Sequence, residues 1–471
     1  MDAIDQLLQD ERELDLGISE LDFEEIKKKK EKNYRRTETR KGGVGIKDIT
    51  DITFKELASE VEKFVPNTTR SLKITLAVAA SGTKRGSPML WVMLVGNPSS
   101  GKTEIVTLIK KSIHTYSLDS MTMSAFITGE RSTKNNKAYD LLPELNKKCF
   151  VIKDWTTLFS LYEEMTSKII GDLVNIYDEE FAKFSATRGN ITYKSNFSHM
   201  GCITPSTLNK HIRYLSTIGA RFLFYNMPLL NDEQREKSFE AIFERSDRRK
   251  KKKELVVLTS KFLNKISTLS VKNIKPLTNE VKLFLRVSAE FISRARGIVI
   301  TQASTFKDEE GKDITYYELL EVQIEEPWRA LQQLIRLSKY LALVEEKDEV
   351  SIEELEIIKD IALSSMPANR AQALSVFKDP NIEEISAKDL ADYSEKEFNL
   401  TKSVKTAKRL LDELVYLGIL EKDKGVGSIA TTYRLKREFK DYVSLSPAEF
   451  LSAYGKKKDG LVEDTKAIFG I

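Results

Sequence analysis

Cysteine is nearly missing: 471 residues hold two, Cys149 and Cys202. Both sit in apolar, strand-like runs, CFVIKD and MGCIT. That usage argues against a disulfide scaffold and fits a reducing compartment. Histidine is as scarce, with three residues, and no C-x-x-C pair occurs. A structural zinc site is therefore not expected. No apolar run reaches the ~18 residues that a membrane span needs. Met1 opens onto an acidic stretch, not a signal peptide. The expectation is a soluble cytoplasmic protein with no membrane partner. An excess of one charge is also lacking, with Lys+Arg 75 against Asp+Glu 71 and a net charge of +4. Any nucleic-acid surface must come from local clustering. No internal repeat is evident.

What is present is enough apolar residue for real cores, 41% of the chain. The length fits about three domains at ~150 residues each. Residues 1–45 are acidic first (MDAIDQLLQDERELDLGISELDFEE) and then basic (IKKKKEKNYRRTETRKGG). Opposite charge blocks with few aromatics predict a disordered tail. A partner-docking helix (Ile4, Leu7, Leu8) or a basic arm on DNA are the alternatives. Residues 53–81 read as helical with a break at Pro66. Four buried strands follow: PMLWVMLV (Pro88–Val95), CFVIKD (Cys149–Asp154), MGCIT (Met200–Thr204) and RFLFYNM (Arg221–Met227). Apolar strands alternating with helical patterns predict an α/β fold with a parallel sheet flanked by helices, over 46–228. Residues 229–367 read as a helical region with one loop at Phe306–Asp313. The run DRRKKKKE (Asp247–Glu254) reads as a solvated helix face or loop, with a nucleic-acid contact as the alternative.

The stretch LVGNPSSGKT matches G-x-x-x-x-G-K-[ST] from Gly96 to Thr103. Glycines at 96 and 101 let the backbone N–H groups turn toward phosphate oxygens. Asn97, Pro98, Ser99 and Ser100 complete the cradle. Lys102 would reach the β- and γ-phosphates, and the Thr103 hydroxyl would hold Mg²⁺. The helix that begins there adds its N-terminal dipole. ATP with Mg²⁺ is the expected cofactor pair. A second metal-side acid is needed at the end of a neighbouring strand, and Asp154 closes CFVIKD. Thr204, ending the next strand, is the candidate polar group near the γ-phosphate. Arg221, just before the last strand, is the candidate arginine donated to a neighbouring site.

In this order the pieces resemble the minichromosome maintenance (MCM) helicases, an AAA+ family, over roughly residues 55–365. LWVMLVGNPSSGKT is similar to that family's first nucleotide motif. FAKFSATRGNI followed by CITP resembles its pore hairpin and sensor strand. GARFLFY resembles its arginine-finger segment. EEPWRALQQLIRLSKYLA (Glu325–Ala342) resembles its lid helix, which places Arg329 on the second sensor arginine. The resemblance implies an AAA+ P-loop NTPase core with a helical lid, assembled as a hexameric ring. Lys102, Thr103, Asp154 and Thr204 would act from one subunit, and Arg221 and Arg329 from the next. Lys183 falls at the pore-hairpin lysine that grips DNA, with Arg188 and Lys194 as near alternatives.

Three departures stand out. Trp155 follows Asp154 where the family has a glutamate that polarises water; the cluster Asp178, Glu179, Glu180 is the nearest substitute in sequence. Thr204 replaces the sensor asparagine. A charged tail stands where the family has an oligonucleotide-binding and zinc-bearing domain. The reduced layout resembles MCM-like ATPases of viruses, plasmids and other mobile elements.

Residues 368–445 resemble a winged helix-turn-helix, and 446–471 read as a tail. One helix starts after Ser386, an N-cap. The next runs from Thr401 to Leu417 with an apolar face of Val404, Ala407, Leu411, Leu414 and Val415. Lys402, Lys405, Thr406 and Arg409 lie largely off that face and suit phosphate contacts. DKGVGS would be the wing turn, and protein docking is the alternative role. The leading expectation is an ATP-dependent DNA helicase or translocase in replication, an ATP hydrolase with DNA and copies of itself as partners. A replication partner could engage the N-terminal tail. The alternative is a non-unwinding initiator or loader. A third reading, a DNA-binding regulator on a degenerate ATPase scaffold, conflicts with the intact loop.

Overall fold

The computed structural model describes residues 52–130, 139–211, 221–243, 248–307, 313–423 and 430–455. The tail expected at 1–45, with Ile4, Leu7 and Leu8, lies outside them, as do 424–429 of the wing turn and 456–471. Helices α1 (Phe54–Phe64) and α2 (Thr69–Gly82) flank the break at Pro66. Thr53 and Glu56 form a capping box that satisfies the first N–H groups of α1. Next come β1 (Trp91–Val95), α3 (Lys102–Leu108), β2 (Thr115–Leu118), α4 (Leu141–Leu145), β3 (Cys149–Ile152), α5 (Thr156–Phe159) and α6 (Glu163–Ile176). The antiparallel hairpin β4 (Glu180–Ser185) and β5 (Gly189–Lys194) precedes β6 (Ser198–Ile203), α7 (Pro205–Lys210) and β7 (Phe222–Asn226).

Strands β2-β3-β6-β1-β7, in that order, make one parallel sheet. Four of the five are the apolar runs. β2 escapes a sequence search because its four residues, TYSL, are half-buried at the sheet edge. The unbroken hydrophobicity of β1 has a direct cause. Val92 and Leu94 enter the core on one face, with α2 and α3, while Trp91, Met93 and Val95 enter the core on the other. A strand covered on both faces has no solvent side to mark with polar residues. Cys149 and Cys202 lie buried and unpaired on β3 and β6.

Helices α8 (Asp232–Phe243), α9 (Arg248–Thr268) and α10 (Asn279–Arg296) follow. The basic run is the start of α9: Lys251 pairs with Glu60 (2.6 Å) and Lys252 with Glu104 (2.5 Å). An all-helical 229–367 is corrected by the long hairpin β8 (Ile298–Lys307) and β9 (Asp313–Gln323). Its signal is the β-branched run IVIT directly after Gly297. Then α11 (Trp328–Val344) and α12 (Ile352–Ser364) close back on the core. Lys73 of α2, almost fully buried, pairs with the equally buried Glu354 (2.7 Å) and with Glu345 (2.8 Å). The Lys73 ammonium and the Ser351 hydroxyl hold Glu354 below the usual carboxylate range against the burial that pushes it up. Breaking one side of such a pair leaves an uncompensated buried charge.

The C-terminal part has α13 (Ala368–Ser375), β10 (Glu384–Ser386), α14 (Ala387–Phe398), α15 (Val404–Tyr416), β11 (Leu420–Asp423) and β12 (Thr432–Leu435). The strands form an antiparallel sheet in the order β10-β12-β11. Ser386 does cap α14, but α15 starts later than expected, capped by Ser403. Its buried face is Ala407, Leu410, Leu411 and Leu414, whereas Val404 is exposed. Helix α16 (Arg437–Ser444) follows the sheet, and α17 (Pro447–Gly455) is packed structure where 446 onward reads as tail. Phe439, Tyr442 and Phe450 stack on Phe291 and Phe284 of α10 at 5.4 to 5.6 Å between centroids. No helix among the described residues is long and apolar enough to cross a membrane.

His199 of β6 is wholly buried and accepts a hydrogen bond from Trp155 Nε1 (3.1 Å). Burial pushes its pKa down to about 3. Above the ordinary histidine range both folded and unfolded chains hold it neutral. Between about 6.5 and about 3 only the unfolded chain takes the proton, so stability falls as pH falls, by up to ~1.4 kcal/mol per pH unit from this group. Urea unfolding at pH 6.5, 5.5 and 4.5 should show that added slope, and His199→Gln should flatten it.

Candidate functional site

The loop from Gly96 to Thr103 turns between β1 and α3. Ser99 and Gly101 both take left-handed backbone angles, φ 64° and φ 84°. A Cβ at Gly101 would collide with Val65 Cγ1, and one at Gly96 with Ser100 Oγ. Glycine is therefore demanded at 101 by conformation and by the Val65 contact, whereas at 96 a side chain would only have to turn the Ser100 hydroxyl aside. Asn97 accepts from Ser100 N (3.2 Å) and from Lys102 Nζ (2.9 Å). Asn97, Pro98, Ser99 and Thr103 are exposed, and Lys102 is buried. Burial pushes the Lys102 ammonium below its usual range, and the nearby Asp154 charge acts to raise it. The cradle fits phosphates: a ligand oxygen could take the place of the Asn97 carbonyl on Nζ.

The neighbouring strand ends are aligned by backbone bonds. Gly96 N donates to Ile203 O (3.2 Å), and Trp155 N donates to Cys202 O (2.9 Å). The sheet thus brings Gly96, Asp154 and Thr204 to one edge. Asp154 is exposed, and one of its oxygens accepts from Thr156 N (2.9 Å). Thr204 caps α7 with Pro205 at its first position. Thr204 Oγ1 lies 2.9 Å from Thr207 Oγ1, which lies 3.5 Å from Thr156 Oγ1. A hydroxyl chain therefore links Thr204 to the turn that holds Asp154. Thr156 and Thr207 were not singled out from the sequence. The cap pattern T-P-S-T was the available signal for Thr207. Thr103 and Asp154 could hold Mg²⁺. Beside this edge a cavity of about 570 Å³ is lined by Asn67, Tyr225, Asn226, Asp360 and Ser364 among others. Its size falls in the range of small-ligand pockets.

Trp155 supplies no carboxylate here. Its ring is wholly buried in the second core, and glycine at 201 leaves room for it. Asp178, Glu179 and Glu180 do not stand in for it within the same chain. They follow Tyr177, whose hydroxyl donates to Met89 O (2.8 Å) ahead of β1, at the sheet's other end. Asp119, the residue after β2, pairs with Lys153 (2.5 Å), the neighbour of Asp154 in the chain.

Arg221 and Arg329 also sit at that other end. β1 and β7 run in register, Trp91 opposite Phe222, so Arg221 is level with Leu90. Six residues at about 3.3 Å each put it roughly 20 Å from Gly96, beyond an arginine's reach. Both guanidinium carbons lie 5.7 Å from the Tyr177 ring centroid. The two arginines are brought together, and they are kept away from their own chain's phosphate loop.

The candidate DNA-contact residues divide. The expected hairpin is there, but Lys183 Nζ donates to Ile127 O (2.7 Å) and Arg188 pairs with Asp140 (2.9 Å). Lys194, exposed, pairs with Glu180 (3.3 Å). The side chain standing out near the hairpin tip is Phe184, 77% exposed. Just ahead of α15, Lys402 donates to Gln372 Oε1 (3.2 Å), and on α15 Arg409 lies over the Tyr317 ring of β9 (5.4 Å). Lys405 is exposed. The outward basic surface is therefore narrower than six residues.

The sequence matches no family model and no curated protein.

Gly101→Ala tests the cradle directly. The left-handed angle alone costs about 1–3 kcal/mol for a residue with a side chain, and the collision with Val65 adds to it. Urea unfolding should show at least that loss, together with weaker binding of a fluorescent ATP analogue.

Proposed function

We propose that this protein is an ATP-dependent DNA helicase or translocase of the MCM-like AAA+ type. In this reading it works in DNA replication, for a virus or other mobile element, as a ring of identical subunits. One observation carries the proposal. Lys102, Thr103, Asp154 and Thr204 share one end of the sheet, while Arg221 and Arg329 share the other. Neither half makes a complete phosphoryl-transfer site by itself, because charge developing on the γ-phosphate needs a cation on its far side. A neighbouring copy would present its arginine end to this chain's loop. The β4–β5 hairpin, inserted between the Asp154 strand and the Thr204 strand, begins just after Tyr177 and so adjoins the arginine end that would face a neighbour's nucleotide. That connection would let hydrolysis move it. Helices α14 and α15 with the β10-β12-β11 sheet fit a winged helix that contacts DNA through Lys405.

A second reading is favoured by Trp155. A buried indole where a water-polarising acid would stand suits a slow switch, an initiator or loader that assembles on DNA with ATP and does not unwind it.

Turnover should rise with single-stranded DNA, and a forked duplex should be separated; ATP-dependent assembly without strand displacement would select the switch. Lys102→Ala should lower turnover about 100-fold or more. Arg221→Ala and Asp154→Ala chains, each inactive, should regain activity when mixed, because some interfaces then join two intact halves. No recovery at any ratio would sink the shared site. Lys405→Glu should weaken DNA binding and reduce the salt slope by at least about 1. Point changes are the right tool there, since deleting the C-terminal part would strip the buried faces of Phe284 and Phe291.

A further inference from the structure

Tyr177 is the residue that the two arginines have in common. It ends α6, its ring is buried, and it meets Trp91 edge-on at 4.9 Å and 88°. Its hydroxyl donates to Met89 O (2.8 Å) and accepts from Gln333 Nε2 (2.8 Å). With both sides of the hydroxyl used, the ring has one orientation. Gln333 Nε2 also lies 3.0 Å from Arg221 O, and Gln333 comes one turn after Arg329 on α11. Arg221 Nε donates to Val174 O (3.2 Å), in the last turn of α6. Three separate elements, α6, the start of β7 and the start of α11, therefore meet on one ring.

The two guanidiniums carry like charge and repel. Each is 5.7 Å from the same ring centroid, within the range where an aromatic quadrupole attracts a cation. The ring, with the Asp178 and Glu325 charges, offsets the repulsion and gives both cations one shared anchor. Two planar guanidiniums held on one anchor suit the several oxygens of a phosphoryl group.

We propose that Tyr177, braced by Gln333, is the positioning residue that holds Arg221 and Arg329 as one unit for the phosphates of a neighbouring subunit's nucleotide. This rests on the shared-site reading above. Tyr177 touches no nucleotide; it acts through the arginines. The aromatic ring is therefore what matters, and its hydroxyl is a brace.

The test compares Tyr177→Leu, Tyr177→Phe and Gln333→Leu in the full chain with ATP, Mg²⁺ and single-stranded DNA. Tyr177→Leu should lower kcat at least about tenfold. Its affinity for a fluorescent ATP analogue should be kept, because its own phosphate loop is intact. Tyr177→Phe should restore most of the turnover. Mixing Tyr177→Leu with Lys102→Ala chains should recover activity, since the second chain lends well-placed arginines to the first chain's loop. If Tyr177→Leu does not fold, Gln333→Leu carries the test, with a smaller kcat loss and the same recovery on mixing. Unchanged turnover overturns the proposal, and so does a loss that includes analogue binding and resists mixing. Arg221→Ala separates the two ideas. If it too leaves turnover unchanged, the shared site fails. If it abolishes turnover while Tyr177→Leu and Gln333→Leu do not lower it, only the role of Tyr177 fails.

Discussion

Strand β6 lies hydrogen-bonded between β1 and β3, and the candidate site depends on that placement. Gly96 N bonds to Ile203 O on one side of it, and Trp155 N bonds to Cys202 O on the other. Three strand ends are locked level by these bonds. The phosphate loop, Asp154 and Thr204 are far apart in sequence, yet they reach one edge because parallel strands in register end together. A slip of one residue would also turn each strand's side chains to the wrong core. Burial on both faces is what prevents the slip.

The same register separates the molecule into two chemically different ends. The loop end offers a cradle of backbone N–H groups, one ammonium, a carboxylate and hydroxyls. The opposite end gathers Arg221 and Arg329 around Tyr177. Helix α11 is what brings Arg329 there. Helix α11 is fastened to the core by Arg336, which donates to Pro88 O (2.8 Å) and Ser81 O (2.8 Å), and α12 by the Lys73–Glu354 pair. Helices α11 and α12 are therefore tied to the core by contacts made away from the loop of residues 96–103.

Trp155 shows how packing and chemistry compete for one position. The residue after Asp154 could have faced the nucleotide edge. Instead its indole fills the second core, donates to a buried neutral histidine and needs glycine at 201. That arrangement ties acid stability to the same strands that align the site. Protonating His199 would remove the acceptor of Trp155 Nε1 and place a charge in an apolar core.

Much of this was readable from the chain. The phosphate loop, four of five sheet strands, the Pro66 break and the Ser386 cap follow from local rules, because burial on both faces, φ constraints and cap hydrogen bonds act within a few residues. Edge strand β2 and the β8–β9 hairpin were not readable with the same ease, since half-exposed strands carry a weak pattern. Side-chain partners were less readable still. Lys183, Arg188, Lys402 and Arg409 look like free cations in sequence, and only the fold shows what each one meets. By itself the sequence determined the glycine-bounded turn of residues 96–103 between β1 and α3, because its conformational demands reside in eight consecutive positions. Which acids, hydroxyls and arginines share an end with that loop, and which stand at the other, was decided by tertiary structure, because strand order and register set those distances and no local pattern encodes them.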